Sequence, residues 1–188
     1  MSRPAVFLDR DGVLNVYLPE DYVKTSDELI LLPGIGAAIA RLNRAGLPVF
    51  IISNQQGVGK GLMTEDDLTA IDRALCVEIG RTGGSIERSY YCTALASENS
   101  EERKPRPGML LRAAREHDLD LSASVFVGDT ETDALAARAA GVGHFVLVLT
   151  GKHRTADIAA NPARFPHPPD HVAADLASAV DWILTRTR

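Results

Sequence analysis

Short apolar runs alternate with amphipathic stretches along almost the whole chain. The runs at 5–8, 49–52, 125–127 and 145–149 read as buried strands, a further strand is expected near 86–92, and a short edge strand at 171–174. Helical patterns lie between them. One is opened by Pro33-Gly34, buries Ile35, Ile39 and Leu42, and closes at Gly46. A second has Thr64 as N-cap and Glu65, Asp66 and Asp67 in its first turn, with Leu68, Ile71, Leu75 and Ile79 facing inward. A third follows Gly108 and uses Leu110, Ala113 and Ala114; a fourth covers 130–140 and is capped by Gly141; the last carries Leu176, Val180 and Ile183. Strand and helix in regular alternation predict a doubly wound, Rossmann-like parallel α/β sheet, here as a single domain over 1–188. Residues 16–32 read as a looser excursion with one extended piece at 29–32, and 151–170 as a proline-containing loop.

The chemistry stands where the first run stops. Ala5-Val6-Phe7-Leu8 ends in Asp9 and Asp11, with Gly12 next to let the backbone turn away. A core strand gains nothing by ending in acids. In open parallel sheets ligands bind beyond the carboxyl ends of the strands. Ser53 follows the second strand, Asp129 the fourth, and Asp133 lies one turn into the next helix; Lys104 leads into the helix before the fourth strand. Carboxylates converging on one mouth repel each other by roughly 4 kcal/mol per pair at ~4 Å and an effective dielectric of 20. A hard divalent cation with oxygen ligands, Mg²⁺, together with a lysine, relieves that repulsion. Phosphoryl transfer needs such a set, because a covalent aspartyl-phosphate divides a very slow hydrolysis into two easier steps. Asp9 is then the expected nucleophile and Asp11 the expected proton donor and acceptor.

Composition narrows the partners. A net charge of −5 with no basic stripe argues against nucleic acid. Two cysteines, Cys76 and Cys92, are too few for a disulfide framework, no apolar run reaches the ~20 residues of a membrane span, and the first residues lack a secretory pattern. A cytoplasmic enzyme acting on a small phosphorylated molecule, a monomer or alternatively a dimer, is the expectation. Gly57-Val58-Gly59-Lys60-Gly61 departs from a nucleotide-binding P-loop, since a glycine follows the lysine. His117, His144, His153, His167 and His171 have no metal-ligand spacing and read as surface or partly buried, and Cys76 as core packing.

Asp9-Arg10-Asp11-Gly12, Ser53, Lys104 and Gly128-Asp129 with Asp133, in that order, resemble the haloacid dehalogenase superfamily of phosphatases, in a form without a large cap domain. Within it, Asn15, Tyr22-Val23, Ser53-Asn54-Gln55, Tyr90-Tyr91-Cys92 and Arg103-Lys104-Pro105 are similar to the histidinol-phosphatase-like branch and its heptose 1,7-bisphosphate phosphatase family. The resemblance implies catalytic Asp9, Asp11, Ser53 and Lys104, with Ser53 and Lys104 on the transferring phosphoryl group. It implies Mg²⁺ held by the Asp9 side chain, the Asp11 carbonyl and Asp129, with Asp133 behind them. Substrate contacts would come from Asn54, Lys60 and Arg103, and the pocket from loops 16–28, 55–64 and 93–103. The family's zinc, bound by C-x-H and a later C-x-C in the third loop, is not expected, because only Cys92 is present there. Arg103 as a solvated residue paired to Glu101 or Glu102 is the competing reading. A sugar bisphosphate is the expected substrate, histidinol phosphate the alternative, and a phospho-acceptor signalling domain the alternative from another class. That last reading is disfavoured because its acceptor sits on a middle strand.

Overall fold

The computed structural model describes residues 2–153, 165 and 168–186. Its strands are β1 (Val6–Leu8), β2 (Val49–Asn54), β3 (Arg88–Cys92), β4 (Val125–Gly128), β5 (His144–Val148) and β6 (His171–Ala173). Its helices are α1 (Ile35–Arg44), α2 (Glu65–Gly80), α3 (Gly108–His117), α4 (Glu131–Ala140) and α5 (Leu176–Arg186). The strands form one parallel sheet in the order β3-β2-β1-β4-β5-β6. Winding runs outward from β1 through β2 to β3 on one side and from β4 through β5 to β6 on the other. The reversal opens a crevice between the carboxyl ends of β1 and β4, where such sheets bind ligands.

The unbroken apolar runs follow from burial on both faces, since alternate side chains point to opposite layers. Val6, Leu8, Val49, Ile51, Val125, Val127, Val146 and Val148 pack under α1, the C-terminal half of α2 and α5. Phe7, Phe50, Ile52, Phe126, Phe145 and Leu147 pack under α3 and α4. Thr64 and Asp67 close a reciprocal capping box at the start of α2, as the sequence pattern requires.

Two local expectations change. The extended piece at 29–32 reduces to a single bridge between Leu31 and Asn15, preceded by a short 3-10 turn at Ser26–Glu28. Cys76 is half-buried on α2 rather than part of the core. Most of 151–170 lies outside the described residues. No helix among the described residues is long and apolar enough to cross a membrane.

Candidate active site

Register places the first two acids. Leu8 lies opposite Val127, and the Asp9 amide donates to the Val127 carbonyl at 3.0 Å, so Asp9 leaves β1 beside the end of β4. Asp129 leaves β4 at the same level. Carboxylate oxygens of Asp9, Asp129 and Asp133 all lie within 4.8 Å of one another, and all three residues are buried.

Asp133 is held from two sides. Its Oδ2 accepts from the Asp129 amide (3.3 Å), the Thr130 amide (3.1 Å) and the Thr130 hydroxyl (2.6 Å), so it ties the turn after β4 to the first turn of α4. Its Oδ1 lies 2.6 Å from Lys104 Nζ, which is also 3.0 Å from Asp9 Oδ1 and donates to the Ile52 carbonyl at 2.8 Å. Asn54 fixes the backbone of that lysine, its Oδ1 accepting from the Lys104 amide and its Nδ2 donating to the Lys104 carbonyl, both at 3.0 Å. Both ends of the Asn54 amide are thereby engaged, so Asn54, which also lines the cavity, clamps the Lys104 backbone.

Electrostatics explain why the lysine alone is not enough. Burial pushes Asp9 up to about 6, against the pull of Lys104 and with help from Asp133. Burial, then Asp133 and Asp9, push Asp129 up to about 8. Burial also works against the Lys104 ammonium, but Asp133 and Asp9 outweigh it and hold its pKa above the ordinary value. Asp129 Oδ1 is buried without a hydrogen-bond partner, while Oδ2 accepts from the Lys152 amide at 2.7 Å. An unpartnered buried carboxylate oxygen is costly in itself. Set among two further carboxylates, it has the donor chemistry of a hard divalent cation site, and Mg²⁺ fits it.

Close backbone approach completes this wall. A Cβ at Gly151 would fall 1.9 Å from Asp129 Oδ2, and one at Gly12 would fall 2.5 Å from the same atom. Gly12 also has φ +83°, the left-handed region that an L side chain rarely adopts.

Asp11 is gripped rather than free. Arg10, with no exposed surface, donates to both of its oxygens, Asn15 Nδ2 donates to Oδ1 at 2.9 Å, and Gln55 Nε2 to Oδ2 at 2.7 Å. Gln55 Oε1 in turn accepts from Arg10 at 2.9 Å, closing a ring of three side chains. Ser53 is buried and accepts from Gln55 Nε2 at 3.2 Å, and its hydroxyl draws the Asp9 pKa down, against the effect of burial. The sequence motif contains Arg10 and Gln55 but assigns them no role. The signal for Arg10 is its place two residues beyond a buried strand, where a withdrawn charge must be paired.

These groups floor a cavity of about 290 Å³. Asp9, Asp11, Ser53, Asn54, Lys104 and Asp129 line it, together with Tyr17, Glu20, Asp21 and Tyr22 of the first expected loop and Gln56 of the second. The third expected loop does not line it. Its Arg103 reaches in only indirectly, donating to Gln56 Oε1 and to the Ala94 carbonyl, both at 3.1 Å. The alternative pairing of Arg103 with Glu101 or Glu102 is not formed, since Glu101 faces Arg106 and Glu102 faces Arg112. Lys60 stands outside the cavity lining, hydrogen-bonded to the Tyr22 hydroxyl at 3.1 Å. In place of the third loop come Thr130, Thr132 and Lys152. Lys152 was missed, although it follows β5 and the rule of strand carboxyl ends applies to it as to Asp129. His153, expected at the surface or partly buried, is almost fully buried.

A family model described as HAD-hydrolase-like matches residues 102–179. The D-glycero-D-manno-heptose-1,7-bisphosphate 7-phosphatase of Thermosynechococcus vestitus is 39% identical over 98% of this chain and 97% of its own. The corresponding D-glycero-beta-D-manno-heptose enzyme of Rhodopseudomonas palustris is 42% identical over 76% of this chain and 82% of its own. Among solved structures, D,D-heptose 1,7-bisphosphate phosphatase from B. bronchiseptica, complexed with magnesium and phosphate, superposes with a TM-score of 0.87 at 34% identity. That match covers 97% of this chain and 98% of the other.

Proposed function

The chain belongs to the HAD-like hydrolases and is a phosphatase of that family, and from this premise we propose that it removes one phosphoryl group from a heptose 1,7-bisphosphate through an aspartyl-phosphate on Asp9. The observation that carries the reading is the meeting of Asp9, Asp129 and Lys104 on the floor of one cavity, with the buried Asp133 carboxylate against all three. The choice of sugar rests on the relatives, and the polar lining of Tyr17, Glu20, Asp21, Tyr22, Gln56, Thr130 and Thr132 suits a molecule rich in hydroxyls.

In the first step the Asp9 carboxylate bonds to phosphorus, the bond from phosphorus to the sugar oxygen breaks, and Asp11 in its acid form gives its proton to that oxygen. In the second, Asp11 takes a proton from water as the water oxygen bonds to phosphorus, and the bond from phosphorus to the Asp9 oxygen breaks, which frees phosphate and restores the Asp9 carboxylate. Lys104 and the Ser53 hydroxyl stabilise the charge on the phosphoryl oxygens. Asp9, Asp129 and the Asp11 carbonyl would hold Mg²⁺, which when bound neutralises the acidic floor and the phosphoryl group. Asp11 has both carboxylate oxygens hydrogen-bonded by Arg10, Asn15 and Gln55, so each proton exchange requires one of these bonds to be released. Arg103 and Lys60 act from the rim, Arg103 by setting Gln56 and Lys60 by setting Tyr22.

We further propose a cytoplasmic protein, monomeric or dimeric, with Cys76 and Cys92 as free thiols. The test is phosphate release from heptose 1,7-bisphosphate and from histidinol phosphate, with and without EDTA. Preferred turnover of the heptose, lost on chelation, is expected; preference for histidinol phosphate would reassign the substrate, and chelator-resistant activity would remove the metal.

A further inference from the structure

We propose that His153 is a positioning residue for the divalent-cation site, pinning the Gly151–Lys152 turn against the Asp129 carboxylate through its hydrogen bond to Glu131. The inference rests on the reading that Asp129 holds Mg²⁺. Four consecutive residues after β5 fold back over the ends of β1 and β4. The Thr150 hydroxyl donates to the Gly12 carbonyl at 2.6 Å. Gly151 lies against Asp129 Oδ2 so closely that only a hydrogen fits, and the Lys152 amide donates to that oxygen at 2.7 Å. His153 then turns inward, 2% exposed, with Nε2 2.8 Å from Glu131 Oε2 and its ring edge-on to Phe165 at 5.9 Å between centroids.

Glu131 begins α4, two residues after Asp129. The turn after β5 and the turn after β4 are therefore fastened at two adjacent points, Lys152 to Asp129 and His153 to Glu131. Placing an imidazole in a buried, partly aromatic site costs free energy, and the bond to Glu131 offsets it. The consequence is directional. With Oδ2 occupied by the Lys152 N–H, Asp129 is left presenting Oδ1, the buried oxygen without a partner. If the turn lifts, Oδ2 loses its donor and the carboxylate is free to rotate. Groups that orient a metal ligand in this way are worth roughly 10- to 100-fold in metal affinity.

The test is calorimetric titration of Mg²⁺ into the EDTA-stripped full chain. His153→Phe keeps a ring beside Phe165 and removes the hydrogen bond; its Mg²⁺ Kd is expected to rise ~10- to 100-fold, while His153→Gln, which keeps a donor, stays within about 3-fold of the parent. Glu131→Met reports on the same bond from the other partner and is expected to match His153→Phe, which keeps the idea testable if the buried substitution fails to fold. An unchanged Kd in His153→Phe, or equal losses in His153→Phe and His153→Gln, overturns the proposal. Asp129→Asn separates the two levels. Lost Mg²⁺ binding there, with His153→Phe unaffected, sinks only the role of His153; retained binding there sinks the cation assignment itself.

Discussion

Lys104 Nζ lies 2.6 Å from Asp133 Oδ1, and both side chains are almost wholly withdrawn from solvent. The pair joins the loop before α3 to the first turn of α4. Asp9 shares the lysine at 3.0 Å, so one cation serves two buried acids.

Lys104→Met removes that shared charge. Breaking a buried ion pair from one side costs about 3–5 kcal/mol, which a urea midpoint will register. Phosphate release is expected to fall at least ~100-fold, as for loss of one transition-state donor. Combining it with Asp133→Asn should recover part of the stability and none of the activity.

Asp9→Asn and Asp11→Asn are expected to differ in kind. Without Asp9 no acyl-phosphate forms, and turnover should drop below detection with the fold intact, since a desolvated and repelled carboxylate has been removed. Without Asp11 activity should fall ~10²- to 10⁴-fold. Stability should also fall in Asp11→Asn, because Arg10 is fully buried and its ion pair is with Asp11. Parallel thermal melts and phosphate assays separate the two.

The metal-free protein should lose stability as pH rises. Asp9 and Asp129 are raised from 3.8 to about 6 and about 8, so the folded chain binds protons that the unfolded chain has released. Their contribution is complete below about pH 4 and is lost as pH climbs through about 6 and then about 8. A fall in Tm of at least ~3 °C between pH 5.5 and 8 in EDTA is expected. Mg²⁺ favours the ionised carboxylates, so its stabilising effect should grow over the same interval. Asp129→Asn should flatten the upper part of the slope; a Tm in EDTA that rises with pH would refute the account.

Gly151→Ala tests the close approach to Asp129. Its Cβ would fall 1.9 Å from Oδ2, so either the turn or the carboxylate must move. A Mg²⁺ requirement raised ~10-fold or more is expected, read as the half-saturating concentration in the phosphatase assay. Gly80→Ala, with open space around it and, like Gly151, no positive φ, is the matching control and should leave the Mg²⁺ requirement unchanged.

The strands and helices were legible because each apolar run is buried on both faces and each helix shows one inward stripe. Val6 and Leu8 serve one layer and Phe7 the other, which is why no polar residue interrupts the run. The acids were legible for the opposite reason: Asp9, Asp11 and Asp129 stand where a buried strand has no use for charge. Partner choice is not legible in the same way: that Asn54 holds the Lys104 backbone, and that Arg103 bonds Gln56 and not Glu101 or Glu102, depends on which loops meet.

By its own pattern the chain decided its α/β class, the order of its elements and the residue types gathered at the strand ends, since period and burial are local properties of a sequence. Which oxygen of Asp129 is left without a partner, which three side chains hold Asp11, and why Gly151 and His153 sit where they do were decided only by tertiary structure. Those depend on β1, β4 and β5 ending at one level in a parallel sheet. Contacts of a few ångströms between residues more than a hundred positions apart, such as the Thr150 hydroxyl on the Gly12 carbonyl, leave no periodic trace along the chain.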